Sequence, residues 1–209
     1  MSALVAKLNA GARRVPTWLI YMGGVAHIVW LFYLAQSGAL GAEPINALER
    51  VLGETGLKLL IAGLAITPLL KRTRLNLVRF RRALGLTAFL YVFMHLTVWL
   101  VLDVSLLSEI SKEILRRPYI TVGMAGFVAL VPLALTSNSW SIRRLGGAGW
   151  RKLHKLTYLA VLLGGVHFVM IGKTWQAESL TYMAVIAVLL LLRLPLAKPR
   201  RRQDSRIGA

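Results

Sequence analysis

Six apolar runs alternate with short polar stretches along the chain. Each run holds about 16 to 21 residues, close to the ~20 that cross a ~30 Å hydrocarbon core as a helix. Backbone polar groups in lipid must be paired within their own segment, so we predict helices. The alternating ten-residue strands of a membrane barrel do not occur. The predicted spans are Pro16–Gln36, Thr55–Leu70, Ala83–Leu102, Tyr119–Thr136, Leu153–Gly172 and Leu180–Leu196.

Two of these spans need separate comment, the second for its length and the first for its likeness to a signal peptide. The second is short, and we expect it to extend back through Val51 or to thin the bilayer locally. The first follows a basic segment and precedes the small residues Gly38–Ala42, as a cleavable signal peptide would. Its apolar core is longer than that of a signal peptide, so we expect it to remain as a span.

The basic residues are shared unevenly between the two faces of this bundle. Grouping alternate loops places 20 of the 26 Lys and Arg residues with both chain ends and with loops 71–82 and 137–155. The positive-inside rule then makes that face cytoplasmic, including a short N-terminal segment 1–15 and a basic tail 197–209. We expect the clusters Lys71–Arg82 and Pro199–Arg202 to orient the helices and contact anionic headgroups. Docking of a cytosolic partner or an anionic cofactor is the alternative role.

Composition excludes several classes of protein. A net charge of +18 would favour nucleic acid in a soluble chain, but 56% of the residues are hydrophobic and form the spans. The absence of cysteine excludes covalent c-type heme, cysteine-ligated iron–sulfur clusters and thiol chemistry. The cluster Gly146–Gly149 lacks the spacing and the preceding strand of a dinucleotide-binding turn. Electrons handled by this chain must therefore come from a partner.

Two of the four histidines fall at matching depth on different spans. His95 lies 12 residues past Ala83, about 18 Å up span three, and His167 lies 14 residues past Leu153, about 21 Å up span five. Polar residues inside a membrane are rare and tend to mark ligands or pathways. Two neutral imidazoles at one depth suit the iron of a heme held in a four-helix core. The sequence predicts a b-type cytochrome with His95 and His167 as axial ligands.

His154 is the candidate ligand of a second heme, about 20 Å below His167 on the same span. Thirteen residues turn the two rings about 140° apart on an ideal helix, so one face carries both only after local unwinding, for which Gly164–Gly165 is a plausible place. The depth-matched positions on span three hold Arg81 and Arg82 instead of histidine. One heme and two hemes both stay open.

His27 has no depth-matched partner on another span. It shares its helix with Gly23 and Gly24, which allow close helix packing. We expect a structural hydrogen bond in preference to metal ligation. The tryptophans and tyrosines near the span ends, such as Trp18 and Trp99, are expected to form an interfacial belt.

Six stretches of the chain carry a family resemblance: LGAEPINALE (Leu40–Glu49), RFRRALGL (Arg79–Leu86), FMHL (Phe93–Leu96), SKEILRRPYITVG (Ser111–Gly123), WRKLHKLTYL (Trp150–Leu159) and GGVHF (Gly164–Phe168). They resemble the ferric-reductase-like transmembrane family, and within it the heme-binding membrane subunits of bacterial methionine-sulfoxide reductase systems. The similarity runs over nearly the whole chain.

The resemblance implies a single transmembrane domain over residues 1–209 in a bacterial inner membrane. It implies a non-catalytic subunit that takes electrons from a cytosolic flavin reductase through heme b, with FMN also associated. The electrons then reach a periplasmic molybdopterin-containing subunit that repairs oxidised methionines. His95 and His167 match the family's outer ligand pair, and His154 its inner histidine. Arg81 stands where related NADPH oxidases carry a histidine, and no residue is assigned to FMN.

Two other functions remain compatible with the sequence. The chain could be a transporter, for heme or an ion, although the spans show no inverted repeat and few midplane polar residues. It could also be a structural anchor whose basic loops recruit partners while the histidines are merely buried. An absorption spectrum separates both from the cytochrome.

Overall fold

Helices make up all the regular structure in the part of the chain that is described. The computed structural model describes residues 3–103, 114, 116–172 and 175–193. Within these residues there is no strand, which confirms the predicted all-α class. The helices are α1 (Ala3–Arg14), α2 (Trp18–Gln36), α3 (Pro44–Thr73), α4 (Arg81–Val98), α5 (Pro118–Leu135), α6 (Ser139–Leu153), α7 (Leu156–Ile171) and α8 (Ala177–Leu191), with a 3-10 turn at Val78–Phe80 and a π-helical turn at Trp99–Asp103.

Most of the predicted spans coincide with long apolar helices. Among the described residues, four segments are long and apolar enough to cross a membrane: α2, α3, Val78–Leu102 and α5. A fifth follows if α6 and α7, which meet at a bend of 41°, count as one span. Helix α8 is apolar but has 15 residues, and the predicted end of span six at Leu196 lies outside the described residues. The structure thus has the architecture of a multi-pass membrane protein, and the sixth span stays a prediction.

Helix α3 is much longer than the predicted span Thr55–Leu70. It has 30 residues and begins at Pro44, whose missing N–H costs nothing in the first turn of a helix. Leu48 and Leu52 are buried against α2 and α4, so the helix gains apolar burial before the hydropathic run starts. Glu54 and Lys58 lower the local hydropathy but pair with each other at 2.5 Å, one turn apart. The expected extension of the second span back through Val51 is confirmed.

Two segments predicted as cytoplasmic connections are helical. The N-terminal segment contains α1, and the side chain of Asn9 on this helix binds the connection between α3 and α4. It accepts a hydrogen bond from Asn76 N–H at 2.8 Å and donates one to Arg74 O at 3.1 Å. The predicted loop 137–155 contains α6, capped where Asn138 accepts from Ser141 N–H at 2.8 Å. Both helices carry basic residues and exposed apolar ones, such as Leu4 and Trp140, and this amphipathic pattern does not register as an apolar run.

The bundle is organised around two closely packed helix pairs. Helix α3 packs along α4, and α5 packs along α7, while α8 covers α7 and α2 lies against α3 and α4. A buried apolar cluster joins the two pairs through residues such as Leu57, Leu60, Leu130, Val161 and Ile186. Since the pairs meet only in part, a cavity remains between them on the side of the bundle where α3 and α8 begin.

Candidate functional site

His95 projects from α4 toward α3 and is hydrogen-bonded there to the backbone. Its Nδ1 lies 2.9 Å from the carbonyl oxygen of Glu49. A carbonyl oxygen can only accept, so Nδ1 carries the proton and donates it. The neutral ring then keeps its lone pair on Nε2. This orientation is the one that metal-binding histidines adopt when a backbone carbonyl fixes their tautomer.

His167 repeats this arrangement on the second helix pair. It projects from α7 toward α5, and its Nδ1 donates to the carbonyl oxygen of Tyr119 at 2.7 Å. The lone pair of the neutral ring is again left on Nε2. The two helix pairs therefore present the same chemical group to the space between them.

A glycine one turn beyond each accepting carbonyl makes room for the imidazole. Gly53 follows Glu49 by four residues, and a Cβ there would lie 3.0 Å from Nδ1 of His95. Gly123 follows Tyr119 by four residues, and a Cβ there would lie 2.7 Å from Nδ1 of His167. The contact at Gly123 is closer than real Cβ atoms make, so His167 fits there because glycine has no side chain, whereas at Gly53 the imidazole would have to shift by a few tenths of an ångström.

The two imidazoles face each other at a distance suited to one shared metal. Their ring centres are 6.2 Å apart, and their planes are 76° from parallel. A metal bound by two imidazoles separates the ring centres by about 6 Å, since each metal–nitrogen bond is about 2 Å. Among the described residues no group of three or more His, Asp or Glu side chains is placed to hold a metal ion. The pair suits a metal whose other ligands come from a cofactor.

Both histidines line one cavity of about 550 Å³ between the helix pairs. This volume is within the range of sites for small molecules and cofactors, about 300–1,000 Å³. The inner walls are apolar and aromatic, whereas polar and charged side chains stand at the end where α3 and α8 begin. The apolar walls include Leu57, Leu60, Val92, Trp99, Phe127, Leu130 and Phe168, and the polar end includes Asn46, Arg50, Glu54, Arg117 and Gln176.

This distribution of residues fits a heme. The donor set is two neutral imidazoles, which favour iron in a b-type heme. Apolar and aromatic walls suit the macrocycle, and the cations Arg50 and Arg117 suit the carboxylates of its propionate groups. Arg50 is 3.5 Å from Glu178, and Arg117 donates to the Tyr119 hydroxyl at 3.2 Å.

Sequence reasoning missed several residues of this cavity. Glu54 lines it and accepts a hydrogen bond from Tyr182 at 3.2 Å as well as binding Lys58. The i,i+4 spacing of Glu54 and Lys58 inside an apolar stretch was the available signal. Gly53 and Gly123 carried no signal of their own, since their role depends on contacts between helices distant in sequence.

His154 lies apart from this pair, at the turn between α6 and α7, and does not line the cavity. The Thr136 hydroxyl donates to Pro132 O at 2.6 Å, so it accepts from Nε2–H of His154 at 3.0 Å. The ring also stacks on Trp150, with centres 3.7 Å apart. Arg81, at the start of α4, is the cation whose charge acts on His154.

The distortion predicted at Gly164–Gly165, which would have brought His154 and His167 onto one helix face, is absent. Helix α7 is continuous from Leu156 to Ile171. The helical path is broken instead at His154 and Lys155, where α6 ends. Gly164 and Gly165 serve packing, because a Cβ there would meet Leu57 at 3.3 Å and Ile186 at 2.7 Å.

His27 makes the structural hydrogen bond expected of it. Its Nδ1 is 2.7 Å from the hydroxyl of Tyr91, which donates in turn to Gly24 O at 3.1 Å. The hydroxyl proton goes to the carbonyl, so Nδ1–H of His27 donates to Tyr91. This chain of bonds joins α2 to α4, and His27 does not line the cavity that His95 and His167 share.

Comparison with known proteins agrees with this geometry. The family model described as ferric reductase like transmembrane component matches residues 52–165, a range that contains His95 and His154 and ends just before His167. Proteins named protein-methionine-sulfoxide reductase heme-binding subunit MsrQ, from Brucella ovis, Brucella canis and Brucella abortus, are each 50% identical over 189 residues. The alignment covers 90% of this chain and 86% of each relative. The resemblance inferred from the sequence motifs is confirmed.

Proposed function

Because the chain belongs to the ferric-reductase-like transmembrane family, we propose that it is the heme-binding, electron-transferring membrane subunit of a protein-methionine-sulfoxide reductase system. The observation that carries this proposal is the facing pair of His95 and His167. Each ring donates its Nδ1 proton to a backbone carbonyl and turns Nε2 toward the shared cavity. The names of the relatives, which describe a heme-binding subunit, support the same conclusion.

The residues of the cavity divide the work of binding between them. His95 and His167 would hold the iron of a bound heme, and the carbonyls of Glu49 and Tyr119 fix the tautomer and rotation of each ring. The apolar and aromatic walls would surround the macrocycle, and Arg50 and Arg117 would offer charge to its propionates. When bound, heme b supplies a one-electron iron couple.

The proposed topology directs electrons outward across a bacterial inner membrane. Six spans would place both chain ends and most basic residues in the cytoplasm, where a flavin reductase is the proposed donor. The polar end of the cavity would then face the periplasm, where a molybdopterin-containing reductase subunit is the proposed acceptor. The uneven distribution of Lys and Arg supports this orientation. FMN is proposed from the family resemblance, and no residue is assigned to it.

His154 is the proposed ligand of any second heme. Its Nε2–H is donated to Thr136, so ligation through Nε2 requires loss of that hydrogen bond and of the ring's position on Trp150. By the family resemblance, Arg81 stands where related NADPH oxidases carry a second histidine, and its charge acts on His154. Binding of one heme and binding of two hemes are therefore distinguished by the heme content of a variant that lacks His154.

Heme analysis of the detergent-purified protein tests the proposal. We expect sharp low-spin b-type bands after reduction with dithionite, and loss of the outer heme in His95→Ala and in His167→Ala. His154→Ala lowers the heme-to-protein ratio only if a second heme is bound. His27→Ala is the matched control, because it removes a histidine remote from the cavity and should retain the outer heme.

Two results would contradict this proposal. A colourless protein from heme-replete cells would remove the cytochrome and favour a transporter or a structural anchor. Full heme retention in His95→Ala would overturn the ligand assignment even in a heme-containing protein.

A further inference from the structure

Three helices bring a cationic cluster together at the end of the bundle opposite the polar mouth of the cavity. Arg193 follows α8, and its Nη1 donates to the hydroxyl of Tyr158 on α7 at 2.9 Å. The same guanidinium lies over the Tyr158 ring, 5.2 Å from its centre. Arg81, the first residue of α4, is near enough for its charge to act with those of Tyr158 and Arg193. Two cationic side chains thus lie near one tyrosine.

Arg193 is held in place by a defect in helix α3. Pro68 has no N–H, so the carbonyl of Leu64, four residues earlier, lacks its helical donor. Nη2 of Arg193 donates to that carbonyl instead. With Nη1 bound to Tyr158, the Nε of Arg193 is buried and has no acceptor among the residues that the structure describes. The second hydrogens of Nη1 and Nη2 are the donors that a further acceptor can use.

No carboxylate balances this charge among the side chains that the structure describes. Their acids are Glu43, Glu49, Glu54 and Glu178, on or just before the first halves of α3 and α8. Glu54 precedes Leu64 by ten residues, about 15 Å along the helix. Arg81 is exposed and Arg193 half-buried, so an anion can approach from the surface. Like charges held together without a counterion favour binding of an anion from outside.

We propose that Arg81, Tyr158 and Arg193 form a phosphate-binding site. Guanidinium groups bind phosphate oxygens through paired N–H donors, and cationic clusters at the cytoplasmic membrane surface attract anionic headgroups. The phosphate belongs to a phospholipid headgroup or to a mononucleotide such as FMN, and both offer the same oxygens. The site is independent of the His95–His167 pair at the other end of the bundle.

Native mass spectrometry of the detergent-purified full chain tests the site, with phosphatidylglycerol and FMN added in separate titrations. We expect the wild type to bind one of the two, and both Arg81→Gln and Arg193→Gln to weaken that binding by at least about tenfold. Arg82→Gln is the matched control, because it removes the same charge from the next residue, and it should change binding by less than about twofold. Selective loss of phosphatidylglycerol binding identifies a lipid phosphate, and selective loss of FMN binding identifies a nucleotide phosphate.

The proposal is overturned if neither ligand binds the wild type, or if Arg81→Gln and Arg193→Gln bind like Arg82→Gln. Arg81 is exposed at a helix start, so Arg81→Gln keeps the test decisive even if Arg193→Gln does not fold. Heme absorbance of each variant is recorded separately, so loss of the phosphate site and failure of heme binding are distinguished.

Discussion

Two glycines set the position of the imidazoles that line the cavity. At Gly53 and Gly123 the helix backbone lies against a histidine ring, and each ring donates to the carbonyl one turn earlier. A methyl group at either position would push the ring away from its acceptor. The hydrogen bond and the absent side chain therefore act together, and both are needed to direct Nε2 into the cavity.

Gly123→Ala should displace His167, because the new Cβ would lie 2.7 Å from Nδ1 and 2.8 Å from Cε1. We expect heme affinity to fall by about 10- to 100-fold, as for other losses of a group that orients a metal ligand. Heme titration of the apoprotein measures the affinity, and the electron paramagnetic resonance signal of the oxidised protein reports the ligand geometry. Gly53→Ala should act in the same direction through His95.

Gly63→Ala is the control on α3, since a Cβ there meets nothing within 4 Å. It should leave heme affinity unchanged and stabilise the helix by about 0.5–1 kcal/mol. Equal heme affinity in Gly123→Ala and Gly63→Ala would show that the ring does not depend on the glycine.

Helix α6 owes its course to one residue at its centre. Gly146 has φ 69° and ψ 155°, a conformation that is essentially restricted to glycine. The kink divides the N-terminal half of α6, with exposed Trp140 and Leu145, from the C-terminal half, which is followed by His154. It also returns Trp150 to the end of α5, where Nε1 donates to Thr136 O at 2.9 Å.

Gly146→Ala should destabilise this element, because alanine must adopt a strained backbone or straighten the helix. We expect a loss of about 1–3 kcal/mol, seen as a lower midpoint of thermal unfolding in detergent. Gly149→Ala is the matched change, since that glycine is helical and its Cβ would make only an ordinary contact of 3.9 Å with Leu145. An unfolding midpoint no lower in Gly146→Ala than in Gly149→Ala would contradict the role of the kink.

The features of the molecule that depend only on distance along a helix could be predicted from the sequence. The constant rise of a helix placed His95 and His167 at one depth, and the structure brings their rings within 6.2 Å. Features that depend on contacts between distant segments were not predictable. The fit of Gly53 against His95 joins residues 42 positions apart. The polar start of α3 and the amphipathic α6 look like loops in a hydropathy pattern. Their charged residues lower the hydropathy, and the pattern contains no information about the side chains and helix faces that these residues contact.

The number of spans determines which side of the membrane each end of the molecule occupies. With six spans both chain ends are cytoplasmic, together with 20 of the 26 basic residues. With five spans the C-terminal tail and its basic residues would lie on the opposite side from the N-terminus. That arrangement would also oppose the charge bias, so we expect six.

Reporter fusions in a Gram-negative host decide between the two topologies. Alkaline phosphatase needs the oxidising periplasm to form its disulfides, whereas green fluorescent protein exported by the general secretory route does not fluoresce. We expect phosphatase activity after Gly41, fluorescence after Asn76 and fluorescence after Ala209, because each position then lies on the face set by the basic residues. Phosphatase activity after Ala209, with the other two fusions as expected, would establish an odd number of spans. It would also place the tail in the periplasm, away from the proposed flavin reductase.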